Sequence, residues 1–171
     1  MPQAAVLAPE TESFVSETAG QYLTFNLGQE YFGLEILKVQ EIIGVLKITS
    51  MPRTPEYVRG VINLRGKVVP VVDLRKRFEM STTEDTEKTV IIVVQISHDD
   101  AFHTTGLLVD QVNEVLDVDE SDIEMPPTMG DAGNIEFIRA MGKVNDNVVM
   151  LLDADKILGI NELAIIEKSV N

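Results

Sequence analysis

The chain has 171 residues, 44% of them hydrophobic, which is enough for one domain of ordinary size or two small lobes that share a core. Its formal net charge of −14 argues against nucleic-acid binding, because phosphate backbones are held mainly by an excess of Lys and Arg. The absence of cysteine excludes disulfides and thiolate chemistry, and the lack of a long apolar run or basic signal start predicts a cytosolic protein with no direct membrane insertion.

The N-terminal part is predicted to contain a leader and a hairpin. Residues 1–20 carry two prolines and three glutamates without a base or a sustained period, which predicts a flexible N-terminal leader. We expect order to begin near Gln21. Alternating apolar residues predict strands over residues 23–27 and 31–36, joined by a turn that contains glycine. Residues 36–43 fit one helical turn that leads into a strand.

Two proline-containing dipeptides, Met51-Pro52 and Thr54-Pro55, interrupt the chain after this strand. Thr54 is placed to cap a short helix with Pro55 at its first position. We expect that helix to end at Gly60.

A second hairpin follows. Strands are predicted over residues 61–64 and 68–72, joined by a tight turn in which Gly66 supplies a positive φ. Pro70 cannot donate a hydrogen bond to a ladder, so its strand is expected to lie at an edge or to carry a bulge.

The middle of the chain is predicted to form the core. Residues 81–88 are a polar connector, and residues 89–96 (TVIIVVQI) are apolar enough for a strand buried on both faces. A strand over 105–109 follows a turn. His98 and His103 flank two aspartates there, but no third ligand is specified, so no metal or cofactor is expected.

The sequence repeats itself. Residues 139–154 repeat residues 59–74 at an offset of 80, and residues 110–115 repeat the segment around Val39 and Glu41 at an offset of 73. The change of offset indicates a seven-residue insertion, which we place around residues 125–134.

The repeat predicts two similar halves, the first about 21–80 and the second about 88–158. Each contains about five short strands and little helix, which predicts paired small β-barrels or curled sheets packed side by side. Residues 154–158 are expected to form a helical turn, and residues 161–171 a C-terminal helical tail.

Charge is distributed unevenly between these halves. Nine of the fourteen basic residues lie between positions 38 and 77 against three acids, whereas residues 79–136 contain fifteen acids and one base. Such a surface is either simply solvated or adapted to different partners on different halves.

Catalytic motifs are not found. Residues 60–67 lack the spacing and the Ser or Thr of a phosphate-binding loop, and the sequence has neither a dinucleotide fingerprint nor a nucleophile elbow. The usual residues for redox and acyl-transfer chemistry are therefore missing.

Arg65 is the strongest candidate for recognition. It lies at the tip of the predicted turn, where a planar donor fork can reach a partner's carboxylate or carbonyl. In the second copy residues 143–146 replace residues 63–66, and the arginine is not repeated. Val39 and Glu41 place an apolar contact beside a charge, as a binding rim would, although Val39 could equally be core.

Three segments resemble the CheW family of bacterial chemotaxis coupling proteins: LEILKVQEI (34–42), MPRTPEYVRGVINLRGKVVPVVDLRKRF (51–78) and GLLVDQVNEVL (106–116). The resemblance covers about 21–160 and rests chiefly on the run G-x-x-N-L-R-G-x-x-x-P-x-x-D-L. It implies a mainly β fold of two SH3-like five-stranded β-barrel subdomains packed side by side around a shared hydrophobic core, with short helices.

The resemblance also implies a function. Members of this family are non-enzymatic scaffolds, without a cofactor, that bridge the helical-hairpin tip of chemoreceptors to the regulatory domain of the histidine kinase CheA. A cytoplasmic protein recruited to membrane-associated receptor arrays is therefore expected.

Site residues can be carried over by position. The receptor tip is expected in a groove between the barrels, lined by Val39, Glu41, Arg65, Gly106, Val112 and Val115. The kinase contact is expected on strands of the second half, at Val90, Ile92, Val148 and Met150, although these residues could equally be core.

Two alternatives remain open at this level. One is the adaptor part of a receiver-fused coupling protein; it requires the chain to be a fragment, since only twelve residues follow Gly159. The other is a small-ligand-binding or hydrolytic β-barrel protein, which lacks a recognisable nucleophile, base or phosphate loop.

Overall fold

The computed structural model describes residues 9–81, 84–98, 100–125 and 136–158, most of which lie in strands of two β-sheets. The strands are β1 (Gly20–Leu27), β2 (Glu30–Glu35), β3 (Val39–Gly44), β4 (Val58–Leu64), β5 (Lys67–Asp73), β6 (Val90–His98), β7 (Ala101–Val109), β8 (Gln111–Val118), β9 (Ile123–Glu124), β10 (Ile138–Val144) and β11 (Asn147–Leu152). Helices are α1 (Pro9–Thr18) and α2 (Leu74–Arg77), and 3₁₀ turns cover Ile36–Lys38, Glu120–Asp122 and Ala154–Lys156.

The first sheet has the order β8-β1-β2-β11-β10-β9, and the second has the order β3-β6-β7-β5-β4. Neighbouring strands are antiparallel except for β2 with β11 and β5 with β7, which are parallel. The mainly β fold with two subdomains is thus confirmed. No helix in the described ranges is long and apolar enough to span a membrane.

The two sheets repeat each other strand by strand. In the second sheet Gly106 of β7 lies opposite Val71 of β5, and in the first sheet Gly33 of β2 lies opposite Leu151 of β11. Val71 and Leu151 are 80 positions apart, and Gly33 and Gly106 are 73 apart, so both offsets of the sequence repeat are present in the fold.

The predicted halves nevertheless do not correspond to the sheets. The hairpin β1–β2 comes from the first half but pairs with β8 and β11 of the second, and the hairpin β6–β7 pairs with β3 and β5 of the first. The two predicted halves, residues 21–80 and 88–158, are therefore wrong as the boundaries of the two subdomains. Local sequence shows which segments are strands, but backbone hydrogen bonds are the same in every strand and do not reveal the partner.

Both sheets contribute to one main core, as expected. It contains buried residues of the first sheet (Leu23, Phe25, Leu27, Phe32, Leu34) and of the second (Ile92, Val94, Ile96, Leu107, Val109). A row of rings, Phe25, Phe32, Phe78 and Phe137, runs along it with successive centroids 5.8, 5.6 and 4.2 Å apart. Burial of this apolar surface from both sheets holds them together.

A buried ion cluster also ties the two sheets together. The side chain of Arg75, which is 2% exposed, donates to the carboxylates of Asp73 (3.1 Å), Asp110 (2.9 Å) and Asp85 (3.4 Å). The other oxygen of Asp110 accepts a hydrogen bond from the backbone of Gly28 in the β1–β2 turn, at 2.6 Å. The cluster therefore joins the end of β5 to the hairpin β1–β2 of the first sheet.

The N-terminal segment differs from its prediction. A flexible leader is expected over residues 1–20, but α1 occupies Pro9–Thr18, with Phe14 and Val15 packed against buried residues of the first sheet. The Tyr22 hydroxyl donates to the carbonyl of Thr18 at 2.6 Å. Tertiary contacts stabilise this short helix, which its composition alone does not favour. Residues 1–8 and the predicted tail at 161–171 lie outside the described residues.

The short helix predicted before Gly60 is also wrong. Residues 51–57 form turns, in which the hydroxyl of Thr54 donates to a backbone carbonyl instead of capping a helix. Gly60 belongs to β4, where a Cβ would lie 2.1 Å from the carbonyl oxygen of Thr49. Glycine is needed there because the chain around Thr49 forms a bridge to Val61 in β4.

Pro70 does not lie in an edge strand, since β5 pairs with both β4 and β7. The parallel pairing with β7 begins only at Val71, so the missing N–H of Pro70 leaves no gap in that ladder. A bulge is present, but on the partner strand, where the register shifts between Val58 and Gly60.

Candidate partner-binding surface

An ion pair joins the two ends of the second sheet. Arg65 lies in the β4–β5 turn, and its guanidinium donates through both terminal nitrogens to the carboxylate of Glu41 on β3, with Nη1 3.0 Å from Oε1. Because β3 and β4 are the outermost strands in the sheet order, the sheet must curl until one pair of side chains spans its edges. This curl agrees with the barrel-like form expected for each subdomain.

Charge and hydrogen bonding reinforce each other in this pair. The hydrogen bond from Arg65 lowers the pKa of the Glu41 carboxyl below its ordinary value, and the hydrogen bond to Glu41 raises the pKa of Arg65. The bidentate geometry fixes the direction of the guanidinium, most of whose side chain remains exposed.

The backbone of Arg65 is unusual for an arginine. Arg65 has a φ of 52° and Gly66 a φ of 86°, so both residues of the turn are left-handed, as two-residue hairpin turns require. The left-handed conformation costs a side-chain-bearing residue about 1–2 kcal/mol. The equivalent residue of the second hairpin is Asn145 with a φ of 50°, a residue type that tolerates this region. An arginine is thus kept at a position where the backbone favours asparagine or glycine, which points to a role for its side chain.

The apolar residues of the predicted groove lie on two edge strands. Val39 on β3 and Val112 on β8 are partly buried against the main core, and Val115 on β8 is exposed. β3 and β8 form the outer edges of the two sheets and both border the shared core. The position of these residues is compatible with a contact that spans both subdomains.

The sequence prediction missed two exposed apolar residues in this region. Leu37, in the 3₁₀ turn before β3, is 92% exposed, and Ile42 on β3 is also exposed. Their neighbours Val39 and Ile43 are partly buried, so burial alternates along β3. The sequence VQEIIG of β3 does not alternate in polarity in the same way, because the apolar Ile42 lies on the exposed side and Glu41 on the partly buried side, so the pattern of residues does not reveal this exposure.

Gly106 has a different environment from the other five predicted groove residues. It is buried in β7, and a Cβ there would lie 2.8 Å from Cγ2 of Ile91 and 3.4 Å from Cγ2 of Val71. The position of Gly106 is explained by close packing inside the second sheet.

The four predicted kinase-contact residues are mostly interior. Ile92 is fully buried in the main core and cannot touch a partner in this conformation, while Val90 and Met150 are partly buried against that core. Val148 on β11 is 50% exposed. Its equivalent in the other sheet, Val68 on β5, is exposed to the same extent, at 49%. The repeat could have identified Val68, since the two valines are 80 positions apart.

Metal ligation is not indicated. Among the residues that the structure describes, no group of three or more His, Asp or Glu side chains could hold a metal ion. His98 and His103 lie on successive antiparallel strands, β6 and β7.

Comparison with known proteins identifies relatives. The family model for the CheW-like domain matches residues 21–162. The chain is 36% identical over 152 residues to the chemotaxis protein CheW of Klebsiella aerogenes, covering 88% of this chain and 89% of that protein. It is also 36% identical over 137 residues to CheW of Rhizobium meliloti, covering 80% and 86%. The crystal structure of the scaffolding protein TtCheW from Thermoanaerobacter tengcongensis matches with a TM-score of 0.74 at 34% identity, over 84% of this chain and 95% of that one.

Proposed function

This chain belongs to the CheW family, and we propose that it is a non-enzymatic adaptor that couples chemoreceptors to the histidine kinase CheA in chemotaxis signalling. The observation that carries the proposal at the level of the site is the Glu41–Arg65 pair, a fixed and mostly exposed guanidinium held in a costly backbone conformation. The comparisons give no support to a receiver-fused coupling protein or to a small-ligand-binding barrel.

We place the receptor tip against the edge strands β3 and β8. A helical hairpin presents an apolar stripe flanked by charges, and Val39, Val112 and Val115 offer apolar surface beside the charged pair of Glu41 and Arg65. The exposed Leu37 and Ile42 extend that apolar surface.

We place the regulatory domain of the kinase against the exposed side of β11, at Val148; Met150 and Val90 are partly buried against the main core. The adaptor then works in the cytoplasm, recruited to membrane-associated receptor arrays, and holds both partners in a fixed relation. Signal passes only if the adaptor binds more favourably in one arrangement of receptor and kinase than in the other. Affinities in the micromolar range, about −8 kcal/mol per contact, suit reversible assembly strengthened by many contacts.

The test is binding of a receptor-tip fragment and of the kinase regulatory domain to the Arg65→Glu variant, measured by isothermal titration calorimetry. We expect at least a tenfold loss of receptor affinity, because the donor fork is removed and a carboxylate is placed beside Glu41, while kinase binding is retained. Arg53→Glu is the matched control, since Arg53 is an exposed turn arginine with a similar φ of 61°.

A second variant separates direct contact from support of the fold. The exchange Glu41→Arg with Arg65→Glu keeps an ion pair at the sheet edge but moves the guanidinium to β3. If receptor binding returns in the double variant, Arg65 acts by holding the edge and the direct contact is wrong. Circular dichroism of each variant shows whether the fold is intact.

A further inference from the structure

The two sheets differ at one equivalent place. By the offsets of the repeat, Glu114 on β8 corresponds to Glu41 on β3, and Asn145 in the β10–β11 turn corresponds to Arg65. The second sheet therefore has an acid and an arginine facing each other across its edges, whereas the first sheet has the acid without the arginine.

The first sheet has a cleft at that place. It encloses about 270 Å³, and the residues along it include Glu114, Asn113, Asn145, Asn147 and Tyr31. Within the described part of the chain the Glu114 carboxylate forms no ion pair or side-chain hydrogen bond. The volume is slightly smaller than the roughly 300–1,000 Å³ of ordinary small-molecule sites, and suits one side chain better than a metabolite.

The backbone of Glu114 is held in place by a contact that the second sheet lacks. The hydroxyl of Thr24, a buried residue of β1, accepts from the Glu114 N–H at 3.2 Å and donates to the Glu114 carbonyl at 2.7 Å. In the second sheet the residue that corresponds to Thr24 is Val93, which lies beside Glu41 on the neighbouring strand. Valine has no hydroxyl and cannot form these two hydrogen bonds. The Glu114 carboxylate is thus presented from a fixed backbone.

We propose that this cleft receives an arginine side chain of the kinase regulatory domain, an inference that rests on the proposed adaptor function. The chemistry of the occupant follows from the second sheet, where the same acid position binds a guanidinium in bidentate fashion. Amide oxygens of the asparagines can accept further N–H groups, and the ring of Tyr31 offers a face on which a guanidinium stacks.

Position and charge select the kinase as the source of this arginine. Val148, the exposed valine placed above at the kinase contact, lies between Asn147 and Val149, which both line the cleft. Arginine beside apolar surface is a common composition of protein interfaces. One side of the cleft, with Asn113, Glu114 and Leu116, also belongs to the acidic part of the chain, residues 79–136, which attracts a basic side chain.

Glu114→Gln tests this inference, because it removes the charge and keeps the shape of the side chain. We expect binding of the kinase regulatory domain to weaken by about tenfold, with a smaller dependence on salt, and binding of the receptor-tip fragment, which we place at Val112 and Val115 on the same strand, to weaken by less than about twofold. Glu120→Gln is the matched control, since Glu120 is another exposed acid of the same segment. In a second variant, Asn145→Arg, the chain supplies its own guanidinium to Glu114, and we expect kinase binding to fall by a similar factor.

The outcomes separate this inference from the proposed function. If the wild-type chain binds both partners and Glu114→Gln binds the kinase domain equally well, the cleft is not a contact although the adaptor function stands. Equal losses in the Glu114 and Glu120 variants would mean a general charge effect, and a loss of receptor binding alone would assign the cleft to the receptor; both overturn the inference. If the wild-type chain binds neither partner, the proposed function itself fails.

Discussion

Removal of the Arg75 guanidinium, in Arg75→Met, should be among the most destabilising single changes in this fold. Methionine fills much of the space of the aliphatic part of arginine, so the change is mainly the loss of charge and hydrogen bonds. Burial alone would lower the pKa of Arg75, but its hydrogen bonds and charge interactions with Asp73, Asp110 and Asp85 together outweigh burial and raise that pKa. The guanidinium is therefore charged and its removal leaves carboxylates without their partner.

The size of the effect depends chiefly on Asp73, which is 1% exposed. Leaving a buried charge without its partner costs about 3–5 kcal/mol. In the variant the Asp73 carboxylate still accepts a hydrogen bond from the backbone N–H of residue 75 at 3.0 Å and still lies 3.5 Å from the guanidinium of Arg59. The cost should therefore lie near the lower limit of that range. Asp85 and Asp110 are partly exposed, so each contributes no more than about 1 kcal/mol. We expect a total loss of about 3–5 kcal/mol.

The assay is urea-induced unfolding followed by circular dichroism, with the free energy of unfolding extrapolated to water. Arg59→Met is the control, because Arg59 pairs with Asp85 from a partly exposed position and its loss should cost about 1 kcal/mol or less. Adding Asp73→Asn to Arg75→Met should cost less than the sum of the single changes, since the orphaned charge is removed. A loss below about 1 kcal/mol in Arg75→Met, or one equal to that of Arg59→Met, would refute this account of the cluster.

Two further predictions concern packing and pH. Gly106→Ala should cost about 1–3 kcal/mol in the same unfolding assay, because its Cβ would overlap Ile91, whereas Gly44→Ala, with no atom within 4 Å of its Cβ, should change stability little; equal effects would contradict the packing. Burial raises the pKa of Tyr22 to about 12 from 10 in the unfolded chain. The stability that the neutral Tyr22 hydroxyl contributes is therefore fully present below pH 10 and is lost as pH rises through about 12. In the wild-type chain the free energy of unfolding should therefore fall by up to about 2–3 kcal/mol between those pH values. Tyr22→Phe should abolish this fall, and the same dependence on pH in both proteins would contradict the assignment.

Features determined by neighbouring residues were predictable from the sequence. The hairpin turn at Gly66 and the buried strand around Ile92 follow from turn chemistry and from an unbroken apolar run. The internal repeat also predicted two similar units, and its two offsets are found again in the register of the sheets. The order of apolar and polar residues carries this information because it shows which residues of a segment are buried.

Features that depend on distant parts of the chain were not predictable in this way. The family resemblance suggested Ile92 as a contact residue, although burial on both faces of β6 removes it from the surface. The pairing of Glu41 with Arg65 depends on the curl of a whole sheet, which a short window of sequence does not encode.

The exchange of hairpins between the two sheets has a consequence for the order of events during synthesis. β1 and β2 leave the ribosome before the other strands, yet β8 and β11, their partners on either side, are made only in the last third of the described residues. Both edges of the hairpin therefore stay open during most of translation, and unpaired edges are the usual starting points of aggregation. A nascent chain of this topology depends on its last strands to protect its first.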